Sequence, residues 1–274
     1  MTAAGEPNAG LALPAGAGAE AILAAAFAQW GEGVVLVTSW QAEGMVLVDM
    51  ITRMGFRPRV FTIDTGRLPE ETHAFMAEVQ RRYRLRLQVA APRPEEIAAL
   101  VGGRGANAFY QGSLDRHLCC EIRKSRVLDR LLRPAPGAAS AATPVVAPVA
   151  AWITGLRRGQ GPARQQVQPV APDDRHPGLW RLAPLAPWSE AQVEEYTRRH
   201  AVPRHPLYAR GFRSIGCAPC TRPTAPGESP RAGRWWWERE EKKECGLHDP
   251  ARPPQFDVAL AGLLSLATGE SLVS

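Results

Sequence analysis

Four of the five cysteines fall in two tight pairs about a hundred residues apart, Cys119-Cys120 and Cys217-Ala218-Pro219-Cys220. If both pairs serve one soft centre, the fold must carry these distant segments to the same place. Thiolate sets of this kind select zinc or an iron-sulfur cluster. A Cys-x-x-Cys alone fits a redox pair or half of a structural zinc site. The adjacent pair changes the balance, because neighbouring residues are poorly placed to give two ligands to one tetrahedral ion, whereas a cubane offers each sulfur its own iron corner. The reading favoured here is a 4Fe-4S cluster on Cys119, Cys120, Cys217 and Cys220.

Cys245 stands alone in Glu244-Cys245-Gly246-Leu247-His248. A lone cysteine is most often a buried core thiol. Here Lys242, Lys243 and His248 flank it and Arg231 and Arg234 lie upstream, and positive charge favours the thiolate. An unperturbed thiol near pKa 8.5 is only about 3% ionised at pH 7, so such surroundings would activate a nucleophile. An odd cysteine count with close spacings argues for metal binding or catalysis in a reducing compartment, not for a disulfide framework.

The formal charge of the 274 residues is +6, and the 33 basic residues include only three lysines, Lys124, Lys242 and Lys243. The arginines are scattered, with no basic tract or aromatic-interleaved stripe, which argues against a nucleic-acid partner. No Lys or Arg precedes Arg53 and no apolar run is long enough to cross a bilayer, so the chain reads as cytoplasmic with no membrane partner.

The pattern along the chain predicts an α/β fold with a doubly wound, mainly parallel sheet. Residues 1–16 read as a disordered lead. Ile22, Leu23, Ala26, Phe27 and Trp30 fall at helical spacing, and 34–38 form a short apolar strand of the kind buried in a parallel sheet. A polar loop, a helix over 45–54, a strand over 60–63 and a helix opened by Pro69 follow. A third strand over 85–90 and a helix from Pro94 extend the alternation. The Cys pair falls on a helix within 113–132, 133–149 reads as a flexible connection, and strands near 152–154 and 179–185 with a helix over 189–200 complete the layer. One more helix is expected around 258–266. The domain reading is therefore a main α/β domain carrying both cysteine pairs over 17–230, a segment over 231–248 that carries Cys245, and a tail over 249–274.

Ligands of such sheets sit at the carboxyl ends of the strands. The loops Ser39-Trp40-Gln41 and Asp64-Thr65-Gly66 lie there, and a loop that opens a helix can cradle an anion on backbone N–H groups. Asp64 and Thr65 suit a ribose or a base amine, or equally an N-cap. Arg157, Arg158 and Arg164 cluster around Gln160 and would repel unless solvated or facing an anion, solvation being the usual outcome. Trp235-Trp236-Trp237 reads as a packing cluster or as a cover for a nucleotide.

Several ordered motifs resemble the assimilatory adenylyl-sulfate reductases, relatives of the phosphoadenylyl-sulfate reductases and of the PP-loop ATP pyrophosphatases. They are 38–43, 63–66, Cys119-Cys120-Glu121-Ile122-Arg123-Lys124, 153–160, His205-Pro206-Leu207, 214–221, 233–237 and 244–248. The resemblance implies an adenine nucleotide alpha-hydrolase-like fold with a mobile C-terminal segment that binds adenosine 5'-phosphosulfate. It implies that Cys245 attacks the sulfate sulfur, that AMP leaves, and that thioredoxin or glutaredoxin releases sulfite from a thiosulfonate on Cys245. Ser39, Gln41, Asp64, Thr65, Gly66, Lys124, Arg157, Arg158, Arg231, Arg234 and His248 are the substrate-binding candidates, the cations among them opposing the phosphosulfate charge. Members with all four cluster cysteines are similar to the adenylyl-sulfate type; the 3'-phosphorylated nucleotide is the alternative substrate. Rival classes are an ATP pyrophosphatase, which would need a fuller Ser-Gly-Gly-x-Asp-Ser loop, and a non-enzymatic iron-sulfur sensor. Trp40, Gly44 and Gly161 depart from the family's usual residues, and the two glycines predict fewer hydroxyl contacts to phosphate. The tail is longer than the pattern implies and leaves homo-oligomerisation open.

Overall fold

The computed structural model describes residues 10–133, 147–238, 244 and 255–268. The chain divides into two compact units. The first comprises Met1–Thr62, Glu70–Gln88 and Leu132–Pro206; the second comprises Ile63–Pro69, Val89–Leu131 and Leu207–Ser274.

The first unit is built on the expected strand and helix alternation: α1 (Ala19–Trp30), β1 (Val34–Val37), α2 (Ala42–Arg53), β2 (Arg59–Ile63), α3 (Glu70–Tyr83) and β3 (Arg86–Ala90). After the second unit's helices come β4 (Ala151–Ile153), β5 (Val170–Pro172), β6 (Trp180–Leu182) and α7 (Glu190–Arg199). The sheet order is β3-β2-β1-β4-β6-β5. The β1–β2, β1–β4 and β4–β6 pairs are parallel and β5–β6 is antiparallel. The apolar runs are buried as a parallel sheet requires: Val34, Val35 and Leu36 on β1 and Ala151 and Ile153 on β4 are at most 1% exposed. Each of the Val, Leu and Ile side chains among them contributes about 1.5–3 kcal/mol of burial free energy.

α2 is buried on nearly every side, from Gly44 to Ile51. Its one buried carboxylate, Asp49, accepts hydrogen bonds from the hydroxyls of Tyr83 (3.1 Å) and Tyr196 (3.0 Å). Burial, and after it the Asp49 charge, pushes both phenols well above their usual range. α7 opens on a capping box: Ser189 Oγ accepts from Gln192 N–H at 3.1 Å, and Gln192 Oε1 accepts from Ser189 N–H at 2.8 Å.

The second unit contains α4 (Pro94–Arg104), α5 (Ser113–Cys120), a π-helical turn over Glu121–Ser125, α6 (Arg126–Leu132) and α8 (Phe256–Thr268). The expected single helix over 113–132 is thus interrupted directly after Cys120 by a wide turn, a feature that concentrates at functional sites. The expected tail helix exists as α8. Its Phe256 and Leu263 pack with Leu100 of α4 and with Leu118 and Ile122, which straddle the Cys pair. No described helix is long and apolar enough to span a membrane. Most of the lead and of the 133–149 connection lies outside the described residues.

Candidate active site

The second unit brings the two cysteine pairs together. Cys119, Cys120, Cys217 and Cys220 line one cavity with Arg67, Phe109, Arg116 and Lys124. All four are free thiols; Cys119 is partly exposed and the others are buried. The Cys-x-x-Cys turn is held by main-chain contacts from separate segments: Ala218 N–H donates to the Arg67 carbonyl (2.8 Å), Trp235 N–H to the Cys220 carbonyl (3.1 Å), and the Tyr110 hydroxyl to the Pro219 carbonyl (3.0 Å). Thr65 Oγ1 lies 3.3 Å from Cys217 Sγ.

Burial pushes the Cys220 thiol up to about 12, the neighbouring Cys217 adding to the rise while Lys124 and Arg234 oppose it. Burial raises Cys119 too, against the pull of Arg123, Lys124 and Arg67. Four clustered thiols, three of them buried, ionise together only if a cationic centre compensates them. The indole N–H groups of Trp235 and Trp237, packed against these cysteines, are buried without an acceptor, as donors to a sulfur-rich group would be. Among the described residues, no three donors close on a point that a single metal ion could occupy. What speaks for a soft metal centre is the donor chemistry alone, four cysteine thiols lining one cavity.

The predicted site residues divide by surroundings. Lys124 lines the cysteine cavity. Asp64 Oδ1 accepts from Gly66 N–H (2.8 Å), a turn within its own loop, and Arg123 Nη1 donates to the Thr65 carbonyl (2.7 Å). Arg234 is buried, its Nη1 donating to Ser214 Oγ (3.3 Å) and the Ile215 carbonyl (3.2 Å). Arg231 Nη2 donates to Glu244 Oε1 at 2.9 Å. Cys245 and His248 lie outside the described residues.

In the first unit, Gln41 Nε2 donates to Ser39 Oγ (3.1 Å). Trp40 is fully buried with φ +62°, and its Nε1 donates to Thr62 Oγ1 (3.0 Å). Gly44 has a steric reason: a Cβ there would collide with the Thr38 hydroxyl. Gly155 likewise admits the chain after β4 to within 2.9 Å, measured from an added Cβ, of the Glu43 Cβ. The expected solvation of the arginine cluster is corrected. Arg157 and Arg164 are buried, and only Arg158 is exposed, its Nε donating to the Val167 carbonyl (2.9 Å). Arg157 pairs with Glu43 Oε1 through Nε (2.8 Å) and Nη2 (2.7 Å), and Gln160 Oε1 accepts from Arg164 Nη1 (2.6 Å). The anion that resolves the repulsion is Glu43, within the protein. Sequence reasoning missed Arg67, Arg116, Arg123 and Glu244; only the position of Arg116 and Arg123 beside the Cys pair hinted at them.

The phosphoadenosine phosphosulfate reductase domain model matches residues 33–223. An adenosine 5'-phosphosulfate reductase from Allochromatium vinosum is 44% identical over 217 residues, 79% of this chain and 79% of that protein. In fold, the chain is similar to a phosphoadenylyl-sulfate reductase from Candida auris solved as a phosphate complex (TM-score 0.60, 22% identity, 76% of this chain and 91% of that one). It is also similar to an FMN adenylyltransferase from Candida glabrata (TM-score 0.52, 17% identity, 90% and 78%). The mostly parallel sheet is thus shared by sulfonucleotide reductases and a nucleotidyl-transferring enzyme. The chain belongs to the phosphoadenosine phosphosulfate reductase family, where it groups with relatives named adenosine 5'-phosphosulfate reductase.

Proposed function

We propose that this protein is an oxidoreductase of sulfate assimilation that converts adenosine 5'-phosphosulfate to sulfite and AMP. The observation that carries the reading is the joining of two sequence-distant cysteine pairs in one cation-lined cavity, in a chain 44% identical to a reductase of that name. The Cys245 thiolate attacks the sulfate sulfur, a S–S bond forms, the S–O bond to the nucleotide breaks, and AMP carries away the electron pair. A thiolate of thioredoxin or glutaredoxin then attacks Cys245 Sγ and expels sulfite. Its second thiol resolves the mixed disulfide, so the dithiol supplies the two electrons and Cys245 returns as a thiol.

Cys119, Cys120, Cys217 and Cys220 would hold a 4Fe-4S cluster. Bound there, the cluster supplies a compact charge centre and the fold's metal-linked stability. Lys124 adds positive charge at the same cavity, and Arg158, Ser39, Gln41, Asp64 and His248 are proposed to meet the nucleotide and its phosphosulfate. The test is anaerobic purification with iron and acid-labile sulfide analysis, then intact-mass measurement after mixing with adenosine 5'-phosphosulfate without reductant. A single sulfonate adduct, lost in Cys245→Ser with iron content unchanged, is the expected result. No adduct on the iron-containing wild type would overturn the reading, and faster adduct formation from the 3'-phosphorylated nucleotide would reverse the substrate.

A further inference from the structure

The tail helix and the cysteine pair share one apolar cluster. α8 carries only three polar side chains in its 13 residues, Asp257, Ser265 and Thr268. Phe256, Ala259, Leu260, Leu263 and Leu264 fall at i, i+3, i+4, i+7 and i+8, a single helical stripe, and all five pack in that cluster. A helix this short and this apolar is held by docking more than by its own hydrogen bonds.

The surface that receives it is built on the cysteine helix. Leu114, Leu118 and Ile122 follow one another at four-residue steps through α5 into the π turn, and Leu100 of α4 joins them. Leu118 and Ile122, which bracket the Cys pair, are at most 1% exposed. α4 makes room at Gly103, where an added Cβ would stand 3.3 Å from Leu263 Cδ2 and 3.7 Å from Leu266 Cδ1. Glycine is a poor helix former, and here its missing side chain admits α8 closely.

Cys119 belongs to two neighbourhoods. It packs against the α8 cluster and also against the cluster that holds Cys120, Cys217 and Cys220. Of the four cysteines it alone is partly exposed, and exposure is what admits oxidants to a cysteine sulfur. The apolar shell around a bound metal controls solvent access to it.

We propose that α8 is a seal for the cysteine quartet: it closes the Cys119 side of the site and slows attack on a metal centre held there. The inference rests on the four cysteines binding such a centre.

The test uses three variants of the anaerobically purified full chain. Leu263→Asp places a charge at a docking position that is 4% exposed, and Gly103→Leu wedges α8 outward while keeping a strong helix former in α4. Val258→Asp, at a position 79% exposed, is the control. Hydrogen exchange over 256–268 should accelerate in the first two with β1 and β4 still protected. Iron release to an excess of ferrous chelator should then accelerate about 10–100-fold in Leu263→Asp and about fivefold or more in Gly103→Leu, because release follows how often α8 undocks. Val258→Asp should match the wild type. If Leu263→Asp does not fold, Gly103→Leu decides alone. Wild-type iron release in a variant whose α8 exchanges freely, or equal acceleration in Val258→Asp, would overturn the proposal. It also falls if neither variant loosens α8.

If the wild type contains no iron, the metal reading falls, and iodoacetamide labelling with peptide mapping decides the seal by itself. Cys119 should then react about tenfold faster in Leu263→Asp and Gly103→Leu, while Cys217 and Cys220, outside the α8 cluster, keep their rates. Unchanged labelling of Cys119 would remove the seal.

Discussion

Both units bury charge, but they differ in what else they hide. The first hides aliphatic strands: Val34, Val35, Leu36, Ala151 and Ile153 are buried in a sheet whose backbone groups pair with one another. The second hides sulfur and charge: three of the cavity's cysteines, Arg116, Arg123 and Arg234 are all below 9% exposed. Apolar burial is non-directional and forgiving, whereas a buried thiol or guanidinium is tolerated only with a specific partner in place. The aliphatic strands are therefore the forgiving part of the molecule, and the thiol cluster and the buried ion pairs of either unit are the demanding part.

The sharpest way to break that contrast is Cys217→Ser. If the second unit depends on its sulfur-bound centre, iron content should fall to background, with increased hydrogen exchange in 89–131 and 207–238 and retained protection in β1 and β4. Equal loss of protection in both units would remove the distinction.

Glu43→Ala brings a charge problem into the first unit. It leaves the Arg157 guanidinium, 7% exposed, without its carboxylate, and removing one member of a buried pair costs about 3–5 kcal/mol. A loss of unfolding free energy in urea of less than a quarter of that would mean Arg157 finds a new partner or water.

A buried neutral histidine gives a pH-dependent version. His205 is 1% exposed, pairs with Thr72 Oγ1 (2.9 Å), and is pushed down to about 4 by burial against a weaker opposing effect of Glu71. Because its folded pKa lies below the unfolded 6.5, its stabilising effect is complete above that value and is lost as pH falls toward 4. From pH 6.5 to 5 the loss is about 2 kcal/mol. Denaturant titrations of wild type and His205→Gln across this window should diverge at pH 7 and converge near pH 4.

The smallest effect belongs to the aliphatic core. Ile153→Val, at a position 0% exposed, should cost about 0.5–1.5 kcal/mol and leave iron content and adduct formation unchanged. A larger functional than thermodynamic effect would show that the scaffold is less forgiving than argued.

Much of the scaffold was legible because it is periodic. The apolar runs of β1 and β2 and the spacing in α1 each carry their structural instruction within a few residues. The antiparallel β5 was not legible, since Val170–Pro172 is too short to show a period and its pairing with Trp180–Leu182 depends on an intervening turn. The π turn after Cys120 was invisible for a related reason: the residues 121–125 are compatible with an ordinary helix. Among site residues, the two cysteine pairs announced themselves by spacing, whereas the burial of Arg157 was not legible because its partner Glu43 is far away in sequence.

Residue chemistry and local order thus determined by themselves the fold class, the family's motifs and the thiol quartet, because helices, strands and closely spaced ligands are written in short-range patterns. Only the tertiary structure decided which arginines are already neutralised by carboxylates, why Gly44 must lack a side chain, and that α8 packs beside Cys119. These are properties of pairs distant along the chain, and the energy of burying a charge is set by the neighbour that folding brings to it.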